Sequence, residues 1–248
     1  KLNSGISPIY EPGLDELIKK NHKAKRLYFT SDLKKAITVS DIIFICVGTP
    51  NIKGSLKVDL SFVFKCTKEI LAITKKKKII VTKSTVPIGT GDQIENIIKK
   101  KKKLFSVISN PEFLREGEAI RDFRYPDRII IGSNSKNEFK TMKKLYSPLI
   151  NKGAKFFTTS RRGAELIKYA ANAFLATKIT FINEIANLCE RSGINVKDIA
   201  LGIGSDTRIG SRFLRPGPAY GGSCFPKDTK GLVFAAEKYK TNLSIVKS

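Results

Sequence analysis

The sequence predicts an α/β protein in which a doubly wound, mostly parallel sheet is followed by an all-helical domain built on one long central helix. Short apolar runs alternate with helix-period stretches between Arg26 and Phe157. After Ser160 no strand-like run occurs, and apolar residues recur at helical spacing without a proline from Gly163 to Ser192. The 248 residues, 41% of them hydrophobic, suffice for one large or two modest cores.

In chain order, residues 26–30, 41–47, 78–84, 105–109, 128–132 and 155–158 read as strands, because β-branched and aromatic residues fill short runs bounded by turn formers. Residues 60–74, 90–100 and 136–150 carry the helical period between them. Such alternation predicts helices on both faces of the sheet, with ligands at the carboxyl ends of the strands. Over 163–192, Leu166, Tyr169, Ala170, Ala173, Phe174, Ile179, Ile182, Ile185 and Leu188 cover more than one narrow stripe. A helix of that kind must be covered on several sides, so it either bridges two lobes or, as the breadth of its apolar surface favours, pairs with a second copy as a homodimer. A shorter helix over 196–202, a glycine- and proline-rich loop over 212–226 and a closing helix over 228–239 complete the chain. The domain boundary is expected near Thr159, dividing 1–158 from 159–248.

The formal net charge is +24, from 46 Lys and Arg against 22 Asp and Glu. The lysine runs 75–78 and 99–103 fall where helical patterns end and strands begin, where cations suit the helix dipole and are expected to stay solvated. They lack interleaved arginines and aromatics, so nucleic-acid binding is not expected, while an acidic substrate would be favoured by the field. No apolar run approaches the ~18 residues of a membrane span, and a cytoplasmic protein is expected. Cys46, Cys66, Cys189 and Cys224 are scattered, and His22 is the single histidine, which supports neither a disulfide framework nor a metal site.

The most informative segment is PGPAYGGSCFPKD, running from Pro216 to Asp228. Its glycines and prolines fix a backbone that brings Cys224 close to a ligand. Gly221 and Gly222 leave room beside the sulfur, Lys227 offers a cation, and Asp228 is the expected N-cap of the closing helix. A neighbouring cation and a helix N-terminus are the surroundings that activate a thiol. Cys66 and Cys189, on helix patterns, and Cys46, in a strand, fit structural roles instead. Lys168 and Asn172, four residues apart, share one face of the long helix and form a polar pair among apolar neighbours. Proton transfer or oxyanion stabilisation suits the lysine, and hydrogen bonding suits the amide. At strand ends, VGTP, KSTVP and NPEFLRE place the hydroxyls of Thr49, Ser84 and Thr85 and the carboxylates of Glu112 and Glu116 where a doubly wound sheet binds ligands. Glu112 and Glu116 suit a helix start.

Together, VGTP, KSTVP, NPEFLREG with DFRYPDRIIIG, ELIKYAANAFLATKITFINE and PGPAYGGSCFPKD resemble the UDP-glucose/GDP-mannose dehydrogenase family along essentially the whole chain. The resemblance implies a Rossmann-like first domain and oxidation of a sugar C6 alcohol to the acid in two hydride transfers to NAD. It implies that Cys224 forms a thiohemiacetal and then a thioester, which water hydrolyses. Lys168 and Asn172 match residues acting at C6, Asp228 a carboxylate organising the thiol and water, Glu112 the acid of thioester hydrolysis, and Thr85 a neighbour of the water and nicotinamide. Thr49, Thr85, Glu116 and Lys227 match positions that meet NAD. Glu112, Phe113, Leu114, Arg115 and Glu116 match one substrate-binding segment, and Phe213, Leu214, Arg215, Pro216, Gly217 and Gly221 the other. Lys168 and Asn172 also face the substrate, and Arg208 matches a position expected to pair locally near it. PAYGG and Phe225 resemble the UDP-glucose side of the family more than the GDP-mannose side, making UDP-glucose or a related nucleotide sugar the expected partner.

Family members open with a strand and a GxGxxG turn whose backbone receives the pyrophosphate. The sequence opens at KLNSGISPIYEPGLDELI, and the pairs Gly89, Gly91 and Gly202, Gly204 do not complete the spacing, so a Rossmann-like domain with its first βα unit missing is expected. The expectation is an internal portion of a longer enzyme, or a product shortened at both ends, that does not turn over alone. The alternative from another class is a non-catalytic module that assembles through the long helix.

Overall fold

The computed structural model describes residues 1–222 and 224–248, with the backbone alone for Lys102. The chain divides into two compact units. One comprises Lys1–Gly48, Leu60–Ser84 and Ile88–Glu165, and the other Thr49–Asp59, Thr85–Pro87 and Leu166–Ser248. In chain order the helices and strands are α1 (Leu14–Lys23), α2 (Leu33–Val39), β1 (Ile42–Ile45), α3 (Ser61–Ile73), β2 (Lys78–Thr82), α4 (Thr90–Ile97), β3 (Phe105–Ser109), α5 (Ala119–Arg124), β4 (Arg128–Gly132), α6 (Lys136–Leu145), α7 (Ser147–Ile150) and β5 (Lys155–Thr159). They are followed by α8 (Arg161–Ser192), α9 (Val196–Gly204), α10 (Phe225–Lys238) and α11 (Ser244–Lys247).

The first unit is a mostly parallel, Rossmann-like sheet in the order β1-β2-β3-β4-β5. β1, β2 and β3 run parallel, as do β4 and β5, while β3 meets β4 antiparallel through the single pair Ser109↔Gly132. The inner strands β2, β3 and β4 read as continuous apolar runs because they are largely buried on both faces, whereas the edge strand β5 is mostly exposed. On one face Val81, Ile108, Ile129 and Ile131 pack with Met142, Tyr146 and Ala154. On the other, Ile80, Val107 and Ile130 are at most 3% exposed. Burial contributes roughly 1.5–3 kcal/mol for each such side chain, so the sheet is the main source of stability in this unit.

Three element expectations and one about the lysine runs change in this part of the chain. Residues 26–30 form no strand, because an extended segment becomes a strand only where a neighbour accepts its ladder, and none is paired with it among the described residues. The helix predicted over 136–150 is two, α6 and α7, meeting at Tyr146, since Pro148 starts a new helix better than it continues an old one. The helix predicted over 90–100 stops at Ile97, and a 3-10 turn, Lys99–Leu104, takes up the lysine run with non-helical dihedrals at Lys101. Successive like charges disfavour continuation of an α-helix there. Finally, the run 75–78 is not solvated throughout: Lys78 is 4% exposed, and its Nζ donates to Thr38 O at 3.2 Å and to Ser40 O, satisfying carbonyls at the end of α2.

The start of α8 is locked onto the sheet. A Cβ at Gly132, the end of β4, would lie 2.7 Å from Ser160 O and from the Ala164 side chain, so only glycine permits this approach. One turn on, Glu165 is 3% exposed and accepts from Gly89 N at 2.6 Å, Gly91 N at 2.8 Å and Ser109 Oγ at 3.2 Å. It therefore occupies the N-terminus of α4, where a carboxylate complements the helix dipole. Arg161 beside it pairs with Asp92 at 3.0 Å and Glu95 at 2.5 Å.

Burial pushes the Glu165 carboxyl up to about 7, against those three donors. Because the native group binds its proton more tightly than the unfolded chain does, its contribution is complete at acidic pH and is lost as pH rises through about 7. Glu165→Gln cannot ionise and removes this slope. Between about pH 5 and about pH 8 the wild type should lose on the order of 3 kcal/mol relative to Glu165→Gln, read from chemical denaturation at the two pH values.

Candidate active site

Two helices of the second unit build the site. Lys168 and Asn172 lie one turn apart on α8 and are 4% and 6% exposed. A polar side chain held that far from water requires hydrogen-bond partners. For Asn172 the partner comes from α10: its Nδ2 donates to Asp228 Oδ2 at 2.6 Å. Lys227 Nζ donates to the other carboxylate oxygen, Asp228 Oδ1, and forms an ion pair with it. Asp228 itself is 1% exposed. The helices come close because a Cβ at Gly231 of α10 would lie 2.8 Å from Tyr169 Cε1, leaving glycine as the residue that fits. Tyr169, Ala173 and Leu232 form the apolar base under this polar layer.

The closing helix begins earlier than the sequence suggests, and Asp228 is not its cap. Cys224 holds the N-cap position, Phe225 and Pro226 open α10, and Asp228 N donates to Cys224 O at 2.9 Å. Proline in a first turn sacrifices an N–H that has no helical partner anyway. The shift frees the Asp228 carboxylate from capping and turns it to Asn172. Cys224 is exposed and joins no disulfide. A Cβ at Gly221 or Gly222, in the same motif, would meet no heavy atom within 4 Å. Ser223, within the same motif, lies outside the described residues. Phe225 contacts Phe213 and Tyr220 edge to face, with ring centroids 6.0 and 6.3 Å apart.

The loop 213–217 is held by α8. Phe213 has φ 65°, a strained value for an aromatic residue, and Leu214 is 3% exposed. Gly217 N donates to Asn183 Oδ1 at 2.9 Å, and Lys178 Nζ donates to Ile209 O at 3.0 Å and Gly210 O at 3.1 Å. Neither Lys178 nor Asn183 was singled out from the sequence, although both interrupt the apolar helical pattern as Lys168 and Asn172 do. Arg215 is exposed and Pro216 half-buried. Arg208 pairs within its own turn, with its Nη2 2.6 Å from Asp206 Oδ2, and holds the Asp206 carboxyl below the usual carboxylate range. In the same unit Thr49 Oγ1 donates to Thr85 O at 2.7 Å, joining the VGTP and KSTVP turns. Thr49 is thereby buried while Thr85 stays half-buried.

In the first unit Ser84 Oγ donates to Val47 O at 2.6 Å, so this hydroxyl, like that of Thr49, commits its proton to the backbone. Residues 112–116 form a loop, and the expected helix start at Glu112 and Glu116 is absent. Pro111 and Gly117, with φ 82°, bound the loop, and α5 begins only at Ala119. Glu11 caps that helix, accepting from Gly117 N at 3.0 Å and Ala119 N at 2.8 Å. Glu112 Oε2 accepts from Leu114 N at 2.6 Å, and the Phe113 ring lies 4.1 Å under the Arg128 guanidinium. Arg115 forks onto Asp122 at 3.0 and 2.7 Å, while Leu114 and Glu116 are exposed. Cys46, expected within a strand, lies just past β1 and is exposed, Cys66 is half-buried on α3, and Cys189 is buried on α8.

Two family models match the chain. The NAD binding domain of the UDP-glucose/GDP-mannose dehydrogenase family covers residues 1–150, and its central domain covers 162–248. The UDP-glucose 6-dehydrogenase of Rhizobium meliloti is 53% identical over 100% of this chain, which spans 57% of that protein. Among solved structures, a UDP-glucose dehydrogenase from Pyrobaculum islandicum superposes with a TM-score of 0.93 at 36% identity, covering 99% of this chain and 57% of its own. A GDP-mannose dehydrogenase from Pseudomonas aeruginosa gives a TM-score of 0.80 at 34% identity, covering 100% of this chain and 58% of its own.

Removing the carboxylate at the centre of the second unit leaves the buried Asn172 amide without its acceptor. Asp228→Ala is expected to destabilise this unit by about 2–3 kcal/mol, seen as a lower urea midpoint at unchanged slope, and Asp228→Asn by less.

Proposed function

The chain belongs to the UDP-glucose/GDP-mannose dehydrogenase family, and from that membership we propose that it carries the chemistry of an enzyme oxidising the C6 alcohol of a nucleotide sugar to the acid. The observation that carries the proposal is the buried Asn172–Asp228–Lys227 set, which joins α8 to the helix whose N-cap is Cys224. UDP-glucose is the substrate favoured, since identity is 53% to a relative named for it and 34% to a GDP-mannose dehydrogenase. The basic charge suits a pyrophosphate-bearing substrate.

The fit to NAD rests on the carboxyl ends of the strands. A Cβ at Gly48, after β1, would meet nothing within 4 Å, so the backbone leaves room for a ligand there. Thr49, Thr85, Glu116 and Lys227 are the residues that would hold the cofactor. NAD supplies, when bound, the acceptor for each hydride leaving C6.

The chain's own residues handle protons and the carbon framework. Lys168, buried on α8, steadies the negative oxygen at C6. Asn172 has two amide hydrogens, so with one given to Asp228 the other serves the same oxygen. Cys224 Sγ bonds to the aldehyde carbon, which prevents escape of a reactive intermediate and makes the second oxidation intramolecular. Glu112 takes a proton from the water that releases the acid, and Thr85 orients that water. The 213–217 loop, Gly221, Arg208 and the 112–116 segment hold the nucleotide sugar.

A second copy of the chain is proposed to cover α8. Phe174, Phe181 and Leu188 recur every seven residues and are 66%, 49% and 63% exposed, which forms one apolar stripe along the helix. An isologous pairing places the same stripe on itself.

In the full-length protein, Cys224→Ser should lower formation of the sugar acid by about a thousandfold or more, as followed by NADH release with UDP-glucose. Acid production at the wild-type rate would sink the covalent route. Sedimentation should show Phe181→Glu shifted from dimer towards monomer, and a wild-type protein that is monomeric at high concentration would remove the basis for self-pairing.

A further inference from the structure

The first unit contains a buried polar knot to which the chemistry above gives no role. Asn110, the residue after β3, is 1% exposed. Its backbone N donates to Thr82 O at 2.9 Å, continuing the ladder to β2. Its side chain reaches the other way: Nδ2 donates to Ile130 O of β4 at 2.9 Å. Oδ1 accepts from Tyr146 Oη at 2.6 Å and from Lys83 Nζ at 3.4 Å. Tyr146 is held at the α6–α7 junction, 7% exposed, and burial pushes its phenol up to about 12, so it remains a donor. Lys83 Nζ also lies 5.9 Å from the centre of the Tyr146 ring.

This knot stands where the chain leaves the sheet for Glu112. β3 and β4 share one rung, Ser109↔Gly132, and the Asn110 side chain supplies the next bond across the same seam. Pro111 follows, which fixes φ at its own position and restricts Asn110 to extended conformations. Glu112 is thus two residues from an anchor bonded to β2, β4 and Tyr146. Lys83, which opens the KSTVP turn, ties that turn to the same anchor. An asparagine needed only to end a strand would not require burial with both ends of its amide engaged.

We propose that Asn110 is a positioning residue for the water-dependent half of the reaction, its amide locked by Ile130, Tyr146 and Lys83 so that the Glu112 carboxylate is presented to water. This rests on the role given above to Glu112. In that half a water oxygen bonds to the C6 acyl carbon and the C6–Sγ bond breaks. The electron pair departs with the Cys224 sulfur, and a water proton passes to Glu112. Loosening the anchor should slow this step while leaving thioester formation in place.

The test uses the full-length protein with NAD and UDP-glucose, comparing Glu112→Gln, Asn110→Ala and Tyr146→Phe with wild type. Acid-quenched samples are weighed intact for covalent sugar on Cys224, alongside kcat and KM. Tyr146→Phe keeps the ring and removes one hydrogen bond, so it remains informative if Asn110→Ala folds poorly. Glu112→Gln should accumulate adduct. Asn110→Ala should lower kcat about tenfold, and Tyr146→Phe about threefold, with KM for UDP-glucose changed by less than about twofold and adduct accumulating in both. If Glu112→Gln accumulates adduct while the other two show none, with or without a loss of kcat, the positioning role is wrong and the role of Glu112 stands. If Glu112→Gln accumulates none, both fall.

Discussion

A polar side chain removed from water must have its hydrogen-bonding groups met, and in each unit one such side chain ties together segments distant in sequence. In the second unit it is Asp228, joined to Asn172 across 56 positions of sequence. In the first it is Asn110, which reaches Ile130, Tyr146 and Lys83. Apolar packing tolerates small slips of one element against another, whereas a carboxylate facing an amide or an amide facing a carbonyl admits few arrangements. The apolar layers, Val81 with Ile131 in one unit and Tyr169 with Leu232 in the other, supply stability. The buried polar bonds set register, and the reactive side chains inherit their places from that register.

The sheet was legible because buried parallel strands advertise themselves as apolar runs: 105–109 and 128–132 coincide with β3 and β4. What misled was local. A strand over 26–30 depends on a neighbour, and pairing is not encoded in a single segment. Aspartate is a good N-cap, which makes Asp228 the expected cap of α10, yet Pro226 two residues earlier marks the true start. Lys168 and Asn172 were legible as polar interruptions of an apolar helix. Lys178 and Asn183 carry the same mark, but their partners are main-chain groups of a loop whose course is set only by folding. Tyr146 gave no signal, since an aromatic residue on a helical pattern reads as core and its hydroxyl partner lies 36 positions away.

The lysine excess acquires a structural meaning at particular sites. Lys78 satisfies carbonyls at the end of α2 and Lys101 Nζ donates to Leu71 O near the end of α3 at 3.1 Å, while Lys178 holds the turn carbonyls of Ile209 and Gly210. Carbonyls exposed at helix ends attract cations through both hydrogen bonding and the helix dipole. A net charge of +24 therefore does not require a polyanionic partner to explain every cation.

The one-rung seam between β3 and β4 has a consequence for motion. β1, β2 and β3 form a continuous parallel ladder, as do β4 and β5, yet the two blocks are bridged along the backbone by Ser109 and Gly132 alone. Cooperative opening follows the density of such bridges, so the sheet is divided into two blocks with unequal exchange lifetimes, and amide protons at the seam report their separation before either ladder melts. The side-chain bond from Asn110 to Ile130 is then a latch between the two blocks, set beside the turn bearing Glu112.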